Sequence, residues 1–196
     1  FSELISVANA AIRRIILKSN DVIGIWGDGI LGYILYSVLK QVHNGPIIII
    51  GHSKEKLDKY EGVQTYLSND PTIKRSKINV AFECIGGLAA EDGIDEIISS
   101  ILPGSKLILA GVSENPVKIN TRKILEKGLA LYGVTRSNVE DFKFASELLR
   151  RPHFRSDISK LILDVVPIYN IKDYYRVFET EAKSRSLGKH IMNFKF

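Results

Sequence analysis

An apolar run, Val22–Ile23–Gly24–Ile25–Trp26, stops at Gly27–Asp28–Gly29–Ile30–Leu31–Gly32 and passes straight into Ile30, Leu31, Ile34, Leu35, Val38, Leu39 and Val42, apolar positions at helical spacing. That order is strand, tight turn, helix. In this GxGxxG, Gly27 permits the turn, Gly29 lets backbone approach a pyrophosphate, and Gly32 allows the helix to pack close to the strand. The helix N-terminus, at Ile30 and Leu31, then offers free N–H groups and a partial positive charge to phosphates. A GxGxxG alone is a weak signal; the flanking strand and helix are what the chemistry requires.

The sequence has 196 residues, 45% of them hydrophobic, enough to bury one full core and part of a second. No apolar run approaches the roughly 20 residues that span a bilayer, and the first residues lack the order of a signal peptide. The expectation is a cytoplasmic protein with no membrane partner. The single cysteine, Cys84, excludes an internal disulfide framework and any multi-cysteine zinc site. The first residue is Phe1 rather than Met, which suggests that an upstream part has been removed. The net charge of +5 is scattered, with clusters at Arg13–Arg14, Lys74–Arg75–Ser76–Lys77 and Arg150–Arg151. None is combined with aromatics or a reading helix, so they read as solvated loops and helix ends and no nucleic-acid partner is expected.

Along the chain, the apolar spacing predicts a helix over 2–17 with Ser2 as cap. Asn44–Gly45–Pro46 ends the glycine-motif helix, and Ile47–Ile48–Ile49–Ile50 follows as a strand buried on both faces. In a dinucleotide fold this strand ends beside the adenosine ribose, where NAD sites carry Asp or Glu about 20 residues past the glycines. Here the strand runs into Gly51–His52–Ser53–Lys54. With no carboxylate there, and with Ser53, Lys54, His52 or Lys56 available, NADP is favoured over NAD. A helix over 54–60, a strand near 63–66, a polar loop around Asn69–Asp70–Pro71 and a strand over 78–82 follow. That strand ends in Glu83–Cys84–Ile85–Gly86–Gly87, where ligands sit in open α/β sheets. Cys84 is a candidate thiol, although a lone cysteine at a strand end usually serves packing. Further helices are expected around 94–101, 121–127 and 139–150, the last with Ser137 or Asn138 as cap and Pro152 beyond its end. Further strands are expected over 106–111 and 129–134.

These elements make a six-stranded, doubly wound parallel α/β sheet of the Rossmann type, order 3-2-1-4-5-6. Strands at 165–168 and 190–194, with a helix over 171–182 between them, have no place in it. The expected organisation is therefore a linking helix over 1–17, a dinucleotide-binding domain over 18–152, and a segment over 153–196 that returns toward a second, otherwise missing domain.

Nearly the whole chain resembles the carboxyl-terminal half of the medium-chain, zinc alcohol and polyol dehydrogenase superfamily. The resemblance rests on Trp26–Gly27–Asp28–Gly29–Ile30–Leu31–Gly32, Phe82–Glu83–Cys84–Ile85–Gly86–Gly87, Pro103–Gly104–Ser105 before Leu107–Ile108–Leu109–Ala110–Gly111–Val112, and Gly188–Lys189. Within it, Gly27–Asp28–Gly29 after Trp26, the polar second-strand end and Glu3–Leu4–Ile5–Ser6–Val7 look most like the NADPH-dependent ribulose-5-phosphate reductases, which make ribitol phosphate for CDP-ribitol in teichoic-acid and capsule synthesis. The resemblance implies a zinc-polarised carbonyl that accepts a hydride from NADPH, with a sugar phosphate or polyol as substrate. It implies that Gly29, Ile30 and Leu31 meet the pyrophosphate, Ser53 and Lys54 the 2′-phosphate, Cys84, Ile85 and Gly86 the ribose region, and Gly111 and Val112 the nicotinamide. It also implies that Lys189 reaches a cofactor phosphate or is simply solvated, and that Glu3 is a zinc ligand or only a helix-start acid. The remaining zinc ligands, like the other catalytic residues, would lie upstream.

Relatives of this kind dimerise through the sixth strand, so a homodimer through Leu129–Val134 is expected, and a cytidylyltransferase of the same pathway is a candidate partner. Two other readings remain open. One is another polyol or alcohol dehydrogenase or a zinc-free quinone reductase; the other is a non-catalytic nucleotide-binding or assembly module. The chain alone is expected to be inactive.

Overall fold

Alternation along short strands sorts their side chains onto two faces, and each face of the central sheet acquires its own core. The computed structural model describes residues 1–196. Parallel strands β1 (Ile23–Trp26), β2 (Ile47–Gly51), β3 (Gln64–Leu67), β4 (Val80–Glu83), β5 (Lys106–Leu109) and β6 (Ala130–Gly133) pair in the order 3-2-1-4-5-6. Ile23, Ile25, Ile49, Val80, Phe82 and Ile108 point to one face. Trp26, Ile48, Ile50, Ala81 and Leu107 point to the other. Both faces are apolar because helices cover both, as parallel crossovers require.

The first face is covered by α1 (Ser2–Ile12), α2 (Ile30–Val42), α6 (Val139–Arg150) and α7 (Pro152–Ser159), which contribute Ile5, Ala8, Leu35, Leu39, Leu148 and Phe154 to its core. The second face is covered mainly by α4 (Ala90–Ser100), through Ile94, Ile97 and Ile98. Two shorter helices, α3 (Lys54–Leu57) and α5 (Thr121–Lys127), follow β2 and precede β6. Gly128 closes α5 in the left-handed conformation, with φ 60°.

Several local expectations change. Helix α1 ends at Ile12, not residue 17, and Phe1 rather than Ser2 precedes its first turn, without a side-chain cap bond. The polar loop after Asp70 winds into a 3-10 helix over Pro71–Ser76, because the Asp70 carboxylate accepts the Thr72 N–H at 2.8 Å. Pro152, expected only to follow the end of a helix, starts α7, where its missing N–H costs nothing. Residues 154, 158 and 161 then sit in the first core, so that core continues past residue 152.

The last elements, β7 (Ile162–Ile168), α8 (Ile171–Lys183) and β8 (Lys189–Phe194), form a separate two-stranded parallel sheet with its crossover helix. Glu181 joins α8 to β8, accepting from Lys189 Nζ at 2.7 Å and pairing with His190 Nδ1 at 2.8 Å. Burial pushes this carboxyl up, but Lys189 and His190 outweigh it and bring it down to about 2. Val165, Tyr175, Phe178 and Phe194 remain exposed here, an apolar surface with no cover in this chain.

Helix α1 is fastened to α6 by one buried carboxylate. Asp141 accepts from Arg13 Nε at 2.9 Å and Nη2 at 3.0 Å, from Asn9 Nδ2 at 2.9 Å and from the Asn138 N–H at 2.8 Å, closing a capping box on α6. Burial raises its pKa, but the bonds from Arg13, Asn138 and Asn9 prevail and hold it below the ordinary carboxylate range. The resulting stabilisation is complete above the unfolded value near ~4 and is lost as pH falls through the lower folded value. Asp141→Ala should cost about 2–3 kcal/mol through the lost cap and lost charge-assisted bonds. Asp141→Asn should flatten the acid side of the stability profile, and thermal unfolding between pH 2 and pH 7, taken as a range of order a few units around ~4, checks both.

Candidate functional site

The order of the sheet reverses between β1 and β4, and the crevice at their carboxyl ends is where an open α/β sheet holds a ligand. The glycine turn forms one wall. Gly27 has φ +124°, and a Cβ there would lie 2.7 Å from the Cys84 carbonyl oxygen. A Cβ on Gly32 would lie 2.0 Å from the Gly27 carbonyl oxygen, so any side chain would push α2 off the strand. Gly29 differs: nothing lies within 4 Å of its absent Cβ, and it precedes the first residue of α2. The turn thus leaves open space at a helix N-terminus beside Ile30 and Leu31, the geometry that receives a phosphate. Beneath it, Tyr33, Tyr36 and Tyr60 pack with ring centroids 5.2–6.1 Å apart. Burial pushes the Tyr60 hydroxyl up, so it stays neutral.

A cleft of about 210 Å³ runs from this turn to the end of β2, lined by Gly27, Asp28, Gly29, Gly51, His52 and Lys56 among others. A carboxylate does reach this place: Asp28, from the glycine turn, accepts the Ser53 N–H at 2.7 Å through Oδ2. The expectation of a carboxylate-free strand end is corrected here, because the acid arrives from a residue 25 positions earlier. The Ser53 side chain caps α3, accepting the Lys56 N–H at 3.3 Å. Lys54 turns outward to Asp58, its ammonium 2.5 Å from the carboxylate, so Lys56 and not Lys54 lines the cleft.

The opposite wall is tied by Glu83, the last residue of β4 and almost fully buried. Its Oε1 accepts the N–H groups of Ile85 at 2.7 Å and Gly86 at 3.0 Å, and its Oε2 accepts that of Gly111 at 3.0 Å. One carboxylate therefore fixes the loops after β4 and β5 together. Gly86, at φ +65°, lies so close to the second loop that a Cβ would meet the Val112 carbonyl oxygen at 2.7 Å. Glu83 carries this arrangement, and its signal in the sequence was an acid ending a buried apolar strand. The Cys84 side chain is buried in the core and burial pushes its thiol up, so its contribution to the crevice is its backbone. Ile85 lines the cleft, while Val112 is 83% exposed beside a second hollow of about 430 Å³ that also includes Gly87, Leu88 and Ser113.

Two sequence candidates stand apart from these walls. Glu3 is exposed in the first turn of α1, and no three His, Cys, Asp or Glu side chains of the chain converge on a metal position. Lys189 is on β8 and is engaged by Glu181.

No protein-family model matches the chain. It is 34% identical over 200 residues to a ribulose-5-phosphate reductase of Bacillus spizizenii, covering 100% of this chain and 58% of that protein. It is 34% identical over 197 residues to ribulose-5-phosphate reductase 2 of Staphylococcus aureus, covering 98% of this chain and 58% of that protein. The crystal structure of S. aureus TarJ in complex with NADPH superposes with a TM-score of 0.94 at 32% identity, over 100% of this chain and 63% of that one. The chain thus spans somewhat more than half the length of these relatives.

Replacing Glu83 by Gln keeps the shape but presents an amide donor toward a backbone N–H, leaving at least one buried group unsatisfied at a cost of about 1–3 kcal/mol. Glu83→Gln should lower the melting temperature and speed amide exchange at Ile85, Gly86 and Gly111. Exchange in α1 and α6 should follow only the global loss.

Proposed function

Since the chain belongs to the medium-chain dehydrogenase superfamily, as a homologue of its cofactor-binding half, we propose that it binds NADP(H) within an oxidoreductase that reduces ribulose 5-phosphate to ribitol 5-phosphate. The observation that carries the cofactor assignment is the open space at Gly29, bounded by two glycines that admit no side chain. The names of the relatives and the NADPH complex of TarJ support the substrate and the choice of dinucleotide.

Each wall of the crevice then has a task. The turn over Gly27, Gly29 and Gly32 and the N-terminal amides of α2, at Ile30 and Leu31, receive the pyrophosphate. His52 and Lys56, which line the cleft, face the 2′-phosphate, with Ser53 beside them at the start of α3, while Lys54 is paired with Asp58. The backbone at Cys84, Ile85 and Gly86 borders the ribose, and Gly111 and Val112 border the nicotinamide, held in register by Glu83. The bound nicotinamide supplies a hydride to a carbonyl carbon. The chain's own part is to orient the ring and exclude water from one side of it. Glu3 has no companion metal-ligand candidates within this chain.

The apolar surface of β7, α8 and β8 supports the proposal that these elements complete a second, substrate-facing domain. Strand β6 pairs only with β5 and leaves its other edge free, which supports a homodimer through residues 129–134.

Calorimetric titration tests the cofactor assignment. NADPH should bind the chain more tightly than NADH, and Gly29→Asp should abolish binding by placing a negative charge against the pyrophosphate. Lys56→Ala should weaken NADPH roughly tenfold, the scale of one charge-assisted contact, and Lys54→Ala by less. The chain alone should bind NADPH yet oxidise it only at the background rate in the presence of ribulose 5-phosphate. Tighter binding of NADH, or an equal loss of NADH affinity in Lys56→Ala, would contradict the assignment.

A further inference from the structure

Gly51 ends β2, and its side-chain position is already taken. A Cβ built there would lie 2.5 Å from Asp28 Cβ, 2.6 Å from Oδ2 and 2.7 Å from Cγ. The Asp28 carboxylate thus occupies the volume from which a strand-end residue would reach the adenosine ribose. Its Oδ2 is committed to the Ser53 N–H at 2.7 Å, which ties the glycine turn to the first residues after β2. Ser53 in turn caps the short helix that carries Lys56 into the cleft, where His52 also lies.

We propose that Asp28 and Gly51 form a matched pair that sets cofactor selectivity: the carboxylate from the turn excludes a strand-end acid and holds the 52–56 turn in position to receive a 2′-phosphate. This rests on the dinucleotide assignment above. Asp28 is a positioning residue in this account, acting on the phosphate through Ser53 and Lys56. Its Oδ2 is engaged by an amide of the turn that it orders, and Lys56 and His52 line the same cleft to meet an anionic ligand. The pair also explains why a strand-end acid cannot simply be added. Gly51→Asp alone would bring two carboxylates into one volume, with steric overlap and like-charge repulsion.

The test is calorimetry of this chain and its variants with NADPH and NADH in parallel, each variant checked by thermal unfolding. Asp28→Ala should weaken NADPH about tenfold, the scale of one lost charge-assisted hydrogen bond, and leave NADH nearly unchanged. Asp28→Asn retains an oxygen for the Ser53 N–H and should restore NADPH binding. Gly51→Ala should reproduce the selective loss by displacing the carboxylate, and Asp28→Ala with Gly51→Ala should be no weaker than Asp28→Ala alone. The exchange Asp28→Gly with Gly51→Asp moves the acid to the strand end and should reverse the preference to NADH. Equal losses for both cofactors in Asp28→Ala, or additive losses in the double variant, would overturn the pairing while leaving the dinucleotide assignment intact. Failure of the parent chain to bind either dinucleotide would overturn both.

Discussion

Helix α2 meets the sheet backbone to backbone. The Gly27 carbonyl oxygen lies where a Cβ on Gly32 would be, and Gly27 itself is pressed against the Cys84 carbonyl at the end of β4. Those approaches set the height at which the helix begins relative to β1 and β4, and therefore whether its N-terminus overlooks the crevice. Everything proposed for the turn depends on that height. A methyl group at either glycine would have to be absorbed by backbone, which has no alternative rotamer to offer. Glu83 does the equivalent service across the crevice, where one buried carboxylate accepts amides from two loops, beside the backbone bonds of Gly111 N–H to the Glu83 carbonyl and Gly87 N–H to the Val112 carbonyl.

The remainder of the chain supplies the stiffness these contacts need. Two apolar faces sandwich the sheet, and Asp141 holds α1 against α6 with bonds to Arg13, Asn9 and Asn138. The β7–α8–β8 unit is less enclosed, and its exposed aromatic residues contrast with the filled core beneath α7. Two carboxylates thus act as staples, Asp141 between helices far apart in sequence and Glu181 between the neighbouring α8 and β8 of the terminal unit, and the hydrogen bonds and cations they meet hold both below their ordinary range.

Strand order and the positions of the main crossover helices were legible because burial on both faces leaves apolar strands and the glycine motif marks the first crossover. The parts that were not legible depend on long-range or competing local contacts. Asp28 reads as a turn residue, and only the adjacency of β1 and β2 brings it to Ser53. Lys54 and Lys56 are alike in composition; Asp58, four residues beyond Lys54, draws one outward and leaves the other to the cleft. Pro152 is consistent with a helix stop or a helix start, and the apolar spacing of Phe154, Ile158 and Leu161 decides for the second. Glu83 was visible as an acid ending a buried strand, but its three amide partners come from two loops that the sheet topology brings together.

That the crevice between the glycine turn and the Glu83-tied loops receives a nicotinamide dinucleotide is tested most directly by mapping backbone amide chemical shifts of the chain with added NADPH. Shifts should concentrate at Gly29, Ile30 and Leu31, at Ser53 and Lys56, and at Ile85, Gly111 and Val112, with β7, α8 and β8 unchanged. Binding that leaves the glycine turn undisturbed and moves only resonances elsewhere would contradict it.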